Sequence, residues 1–356
     1  MEAGGSQAVA VKLSKEMRAK GIDAETWFIY KKSDTYMDEE KITIIHDRAP
    51  KTLKDAYQII SKLVKKFKEV KPDGVISYTH YATTLGHIAS VLAGVKNQVA
   101  TMQNPVWTYP KMPRMLNKLM APLGFYHKII APSNTVAKSC ESYSSAYRKL
   151  VTLVYNGVPP RISPLTKAEA RSKFNLKVEE GTKLLVNVGR LHPQKNHILL
   201  LEVMKKLEGY KLAVAGTGEL RAEYDEFIAK NNLQDKVTLF GEIKPVDIPD
   251  FLRSGDVFVF PSNFEAFGIV LFEAGNNGLP IVASNIPSTV EVLETEDEGA
   301  AGIIVEDNDT DKWVAAIKCL EDPKLYSHYK ELIEKQSKKY DFGKWVESYV
   351  EYATKK

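Results

Sequence analysis

Cysteine is nearly absent from the 356-residue chain: Cys140 and Cys319 are its two thiols, far apart and without metal-ligand spacing. That excludes a disulfide framework and a thiolate zinc site, and it suits a reducing compartment. No apolar run reaches membrane-spanning length, and the amino terminus lacks a basic-then-apolar leader pattern, so the expectation is a cytosolic protein. Short repeats and low-complexity tracts are missing as well, so no repeat array is expected. Acid is scarce in the first 158 residues, with 13 Asp and Glu against 23 Lys and Arg, a balance of +10; the remainder holds 32 against 26, or −6. A basic first half points to an anionic partner, and nucleic acid, a phospholipid surface or a diphosphate-bearing acceptor all qualify. Nucleic acid is the weakest of the three, because the cations are scattered and no recognised binding motif accompanies them.

The length favours two domains. Apolar runs of strand length alternate with helical patterns throughout, the signature of parallel sheets covered by helices, so the fold class is α/β with two doubly wound, Rossmann-like domains. Strands are expected near "AETWFIY", "DGVISY", "NQVATM" and "KIIAPS", and, after the turn-rich "LVYNGVPPRISPLT", at "KLLVNVG", "YKLAVAG", "KVTLFG", "VFVFPS", "PIVAS" and "AGIIV". The expected domains are residues 1–158 and 159–338, with 339–356 an amphipathic helix whose Trp345, Tyr349 and Tyr352 need a surface to cover. Two such domains place ligands beyond the carboxyl ends of their strands, in a cleft between them.

Two loops carry the chemistry. In "LLVNVGRLHPQKN" a strand ends at Val188, Gly189 permits a tight turn, and Arg190 and Lys195 flank a loop that opens a helix. A guanidinium and an ammonium beside unpaired backbone amides suit a diphosphate, although a solvated strand–helix loop would read the same way. In "PSNFEAFGIVLFEAGNNG" another strand is followed by Asn263 and Glu265, then by a helix ended at Gly278 that carries Glu273. The amides of Phe267, Gly268 and Ile269 are expected as first-turn donors for a phosphate or sugar oxygen. Glu265 can accept from sugar hydroxyls and Glu273 can reach a ribose diol; their bland readings are a helix-dipole partner and a solvated helix face.

"VGRLHPQKN", followed about seventy residues later by "PSNFEAFGIVLFEAGNNGLPIVAS", resembles the retaining glycosyltransferases of family four, also called glycosyl transferases group 1, which have the GT-B fold. "AGGSQAVAVKLSKEMRAKG", "HKIIAPSNTVAKS", "VYNGV", "VAGTGEL" and "DFGKWVESYVEYA" extend the resemblance over nearly the whole chain. It implies that Arg190 and Lys195 bind the donor diphosphate and stabilise its leaving charge, that Glu265 holds the donor sugar and Glu273 the nucleotide ribose. The amides around Phe267, Gly268, Ile269 and Val270, with Asn263, Gly189 and the Gly216 turn, would line the donor. Gly4 and Gly5 would let the first domain approach the diphosphate, and the terminal helix would cross back to that domain. The implied donor is a nucleotide-diphosphate sugar and the acceptor a glycan or lipid-linked glycan, with no metal and no other cofactor. Neither acid need be a nucleophile, because neutralising the leaving charge and positioning the reactants can suffice. An epimerase or hydrolase of the same fold, acting on donor alone, and a non-catalytic partner subunit are the rival readings.

The pattern departs from the family in two places. Members usually begin with an apolar strand before the glycine loop, whereas this sequence starts "MEAGGSQ"; without that central strand its neighbours would be left unpaired. Where many members have a His facing the reaction centre, "ATMQNPVW" offers Gln103 and Asn104, which cannot act as bases and are expected to orient donor or acceptor by hydrogen bonds. His80 in "SYTHYATTLGH" matches another acceptor-side position, and a loop or capping histidine is its alternative. Within residues 111–124, Met112, Leu116, Leu119, Met120 and Leu123 share a helical face flanked by Lys111, Arg114 and Lys118. That suits an interfacial helix on an anionic membrane, at the inner membrane face, as well as an ordinary core-facing helix. In "EDNDTDKW", Asp309 reads as a helix cap rather than a metal ligand.

Overall fold

A computed structural model describes residues 5–31 and 36–354, in which twelve strands alternate with helices. The strands are β1 (Thr26–Tyr30), β2 (Ile42–His46), β3 (Gly74–Ser77), β4 (Asn97–Thr101), β5 (Lys128–Ala131), β6 (Val151–Leu153), β7 (Lys183–Val188), β8 (Tyr210–Ala215), β9 (Val237–Gly241), β10 (Val257–Phe260), β11 (Ile281–Ser284) and β12 (Ile303–Val305). Every pairing between them is parallel, as crossover helices require. The chain forms two compact units, one of Met1–Tyr155 with Gly343–Lys356 and one of Asn156–Phe342.

In the first unit β1 pairs only with β2, and β3 heads a separate sheet in the order β3-β4-β5-β6. Among the described residues β1 and β3 each pair on one side only, β1 with β2 and β3 with β4. Neither β2 nor β6 was expected from sequence. β6 is three residues long and ends on an exposed Leu153, too short for an apolar run to register. The helix Leu53–Val70 joins the two sheets: Ile59, Leu63 and Phe67 recur every fourth residue and are buried with Ile29 of β1 and Ile45 of β2, with Val75 of β3 packed alongside. It starts at a reciprocal cap, where the Asp55 amide donates to Thr52 Oγ1 at 3.1 Å and the Thr52 amide to Asp55 Oδ2 at 3.0 Å.

The terminal helix Phe342–Thr354 buries Trp345, Val346, Tyr349 and Ala353 in this unit. Tyr349 stacks on Tyr78 with centroids 6.2 Å apart, and Asn97 Nδ2 donates to the Ala353 carbonyl at 3.1 Å. Gly74 is obligatory beneath it, since a Cβ there would stand 2.1 Å from the Ala353 oxygen. The helix Lys111–Met120 does the opposite: only Met120 is buried, while Met112, Met115, Leu116, Leu119 and the following Leu123 are exposed. Met120 therefore leaves the apolar stripe assigned to it and receives the Tyr126 hydroxyl at 3.6 Å. The core-facing reading of the other four does not hold.

The second unit has one six-stranded sheet in the order β12-β11-β10-β7-β8-β9. From β7 the chain runs outward to β9, then returns to the other side of β7 at β10, so the topological switch point lies between β7 and β10. Asp256, just before β10, ties the sheet to the helix Lys167–Lys173: it accepts from Lys167 at 2.6 Å, Arg171 at 2.7 Å and the Leu184 amide at 2.7 Å. Asp309 caps the helix Thr310–Cys319, accepting from the Asp311 amide at 2.8 Å.

Candidate active site

The loops after β7 and β10 lie on either side of the switch point, and they are stitched together. The Asn263 amide donates to the Gln194 carbonyl at 2.8 Å, Asn263 Nδ2 to the Pro193 carbonyl at 2.9 Å, and Gln194 Nε2 to the Phe264 carbonyl at 2.9 Å. Over this seam Lys195 Nζ meets Glu265 Oε1 at 2.5 Å, with the ammonium 5.4 Å from the Phe260 ring centroid. The pair is largely sheltered, the side chains being 21% and 10% exposed, so water screens it weakly. Arg190 opens the same loop and is exposed. Its positive charge, after burial, helps hold His192 below the usual histidine range, and Lys195 adds to the effect. Arg190, Lys195, Asn263 and Glu265 are thus brought together in one place.

Glycines fit this loop against its neighbours. A Cβ at Gly189 would meet the Lys195 stem at 3.4 Å, so the lysine lies along the space a side chain would take. A Cβ at Gly216 would stand 2.0 Å from the Gly189 oxygen, and one at Gly218 2.1 Å from the Leu191 oxygen. The Gly216 amide is already used, donating to the Gly241 carbonyl at 2.7 Å. Gly216 therefore supplies room beneath the Arg190 loop, and its amide is engaged within the fold.

The helix after β10 starts later than its sequence suggests, at Ile269, and ends at Asn276 with Gly278 in the left-handed region. Gly268 occupies the cap at φ 83°, a conformation that favours glycine. The amides at this helix start are then those of the cap Gly268 and of Ile269 and Val270, while the Leu271 amide donates to the Gly268 carbonyl at 3.0 Å. Phe267, one residue before the cap, turns its ring into the core, 5.6 Å from Phe272 and 4.9 Å from Tyr340. Glu273 sits on this helix half-buried, and Glu265 is buried before it, so neither occupies a freely solvated face.

In the first unit His80, Gln103 and Asn104 follow the adjacent strands β3 and β4. His80 is half-buried in the first turn after β3, 4.3 Å from the Tyr81 ring, and burial lowers its pKa. Gln103 Nε2 donates to Thr101 Oγ1 at 2.6 Å, and the Gln103 and Asn104 amides donate to the Tyr109 hydroxyl at 2.9 and 3.3 Å. Thr101 and Tyr109, which hold that loop, were not singled out from sequence. Gly5 begins the helix Gly5–Ala19, and Gly4 lies outside the described residues. Among the described residues no three His, Cys, Asp or Glu side chains group as a metal site, and no helix is long and apolar enough to cross a membrane.

Comparison with known proteins gives two family matches, Glycosyltransferase Family 4 over residues 3–161 and Glycosyl transferases group 1 over residues 168–339. A UDP-Gal:alpha-D-GlcNAc-diphosphoundecaprenol alpha-1,3-galactosyltransferase of Escherichia coli is 28% identical over 77% of this chain and 72% of its own length. A D-inositol 3-phosphate glycosyltransferase of Mycobacterium marinum is 28% identical over 68% of this chain, which spans about half of that relative (52%). Among solved structures, Anabaena HepE in complex with UDP and glucose superposes with a TM-score of 0.84 at 18% identity, covering 98% of this chain and 96% of HepE.

Proposed function

The chain belongs to the glycosyl transferases group 1, with the GT-B fold, and from that membership we propose that it moves a sugar, with retention, from a nucleotide-diphosphate sugar to a glycan or lipid-linked acceptor. The observation that carries the reading is the Lys195–Glu265 pair, set beside Arg190 over two loops stitched at the switch point. An ammonium has three donors. One of Lys195's goes to Glu265, and the others serve a diphosphate while Glu265 keeps acceptor capacity for sugar hydroxyls.

As the acceptor hydroxyl oxygen bonds to the anomeric carbon, the bond from that carbon to the diphosphate breaks, its electron pair leaves with the phosphate oxygen, and the hydroxyl proton passes to that departing oxygen. Arg190 and Lys195 neutralise that charge in a partly dry site, where fixed cations act most strongly. The Ile269 and Val270 amides add the positive end of a helix, and Glu273 takes the ribose. Metal is not required in this scheme, since two side-chain cations do its work. Gln103 and Asn104 orient a substrate through hydrogen bonds, and no general base is assigned. The galactosyltransferase relative, named for a diphosphoundecaprenol acceptor, and the exposed apolar stripe within residues 111–124 favour an acceptor at an anionic membrane surface.

The test is a thermal-shift panel of uridine, guanosine and adenosine diphosphates and their common sugar conjugates, on the wild type and on Arg190→Ala, Lys195→Ala. One nucleotide should raise the melting temperature of the wild type and lose most of that effect in the variant. Stabilisation that survives both substitutions would overturn the clamp. Wild type that responds to none of the nucleotides would overturn the donor class, and turnover of donor without acceptor would favour a hydrolase.

A further inference from the structure

Beneath the Lys195–Glu265 pair lies a buried polar group whose hydrogen-bond directions can be read without ambiguity. Asn187, near the end of β7, is 3% exposed, and its Nδ2 donates to the Val259 carbonyl of β10 at 2.7 Å. That bond orients the amide, because a carbonyl can only accept. Asn187 Oδ1 is therefore the atom 2.8 Å from His197 Nε2, and being an acceptor it requires the proton on Nε2. His197 is 1% exposed, and its Nδ1 is buried without a hydrogen-bond partner. A doubly protonated ring would leave a buried N–H and a buried charge unpaired, which the interior penalises.

From this geometry we infer that Asn187 and His197 are positioning residues for the diphosphate clamp, acting through Lys195 and Glu265 without touching substrate. Asn187 joins three elements that must hold one register: the strand leading into the Arg190 loop, the strand leading into the Glu265 loop, and, through His197, the helix His197–Met204 that begins just past Lys195. A Cβ on Gly189 would meet both the Lys195 stem at 3.4 Å and Asn187 Oδ1 at 3.6 Å, so lysine and asparagine pack around the same backbone point. Two apolar side chains of similar shape would fill the volume and keep the β7–β10 backbone pairing, but would remove the side-chain bonds that fix the ends of those strands and the start of the helix to one another. Since a displacement of about 1 Å at a reacting group can cost about a hundredfold, such a bracket matters more to the clamp than to the fold.

The inference rests on the donor-site reading above, and its test separates the two. Isothermal titration measures the nucleoside diphosphate selected by the thermal-shift panel and its parent nucleoside, on wild type, Asn187→Leu, His197→Phe and His197→Gln. Glutamine keeps a donor near the Nε2 position, whereas phenylalanine keeps the ring alone. Asn187→Leu and His197→Phe should lose about tenfold in diphosphate affinity, with nucleoside affinity changed less than about threefold, and His197→Gln should recover most of the loss. Equal loss for diphosphate and nucleoside, or unchanged affinity in folded variants, would overturn the bracket while leaving the site intact. Binding of no diphosphate by wild type would remove the donor reading and this inference with it. If His197→Phe fails to fold, nitrogen-15 NMR of the wild-type imidazoles decides: the Nδ1–H tautomer or a doubly protonated ring for His197 at pH 7 refutes the assignment, and the Nε2–H tautomer upholds it.

Discussion

At the scale of single residues, the side chains that sequence could identify were those whose type announces their chemistry. Arg190, Lys195, Glu265 and Glu273 stand out in the sequence because cations and acids beside apolar strand ends invite a ligand, and the structure pairs Lys195 with Glu265. Asn187 and His197 do not, because the role proposed for them depends on a hydrogen bond from Asn187 of β7 to Val259 of β10, 72 residues away in sequence. The signal available was a polar residue inside the apolar run "LLVNV". Asp256 was missed for the same reason. Its carboxylate is buried and answers two cations and the Leu184 amide, so Asp256→Ala leaves that buried amide without its acceptor, while Lys167 can turn to water and Arg171 keeps the Ser254 carbonyl, and should cost about 1–3 kcal/mol of stability. Urea denaturation of the variant checks this; a loss below about 1 kcal/mol would show that solvent replaces the carboxylate cheaply.

Among elements, the contrast between the two units is physical. All six strands of the second unit could be read: β7, β8, β10 and β11 are apolar runs mostly buried on both faces of a parallel sheet, and the edge strands β9 and β12, only partly buried, still carry short apolar runs. In the first unit β2 and β6 escaped, one half-buried along most of its length and the other three residues long. The helix Lys111–Met120 shows the limit of periodicity, which marks an apolar stripe but not what covers it. With Met112 64%, Leu119 53% and Leu123 71% exposed, and Lys111 and Lys118 exposed beside them, the stripe suits the boundary between headgroups and acyl chains. Wild type should sediment with vesicles containing phosphatidylglycerol, and a Met112→Ser, Leu116→Ser, Leu119→Ser variant should bind at least about tenfold more weakly. Equal sedimentation of both proteins, or none of either, would remove the membrane from the proposed function.

For the whole molecule, acid should be destabilising well before the carboxylates titrate. Burial holds the ring nitrogens of His87 and His197 to a pKa of about 3, with Lys195 adding to the effect on His197. In the unfolded chain both return to about 6.5. Between those values the unfolded chain binds the extra protons, so stability is complete above pH about 6.5 and falls as pH drops toward 3. The slope is about 1.4 kcal/mol per pH unit for each histidine. Thermal melts at pH 7, 6 and 5 should fall steadily, and His87→Gln should flatten part of the trend; a melting temperature constant over that range would show that both rings can be protonated in the folded state.

The docking of Tyr349 onto Tyr78 has a consequence for the order of assembly. The first unit is closed by a helix that is made only after every residue of the second unit has been synthesised. At a translation rate of about 5–20 residues per second, Tyr78 and the start of β3 wait on the order of tens of seconds for the segment that covers them. During that interval the nascent chain carries an open apolar seam beside a finished neighbour. Ribosome-bound intermediates of this protein should therefore be more exposed to aggregation and proteolysis at β3 than at any strand of the six-stranded sheet.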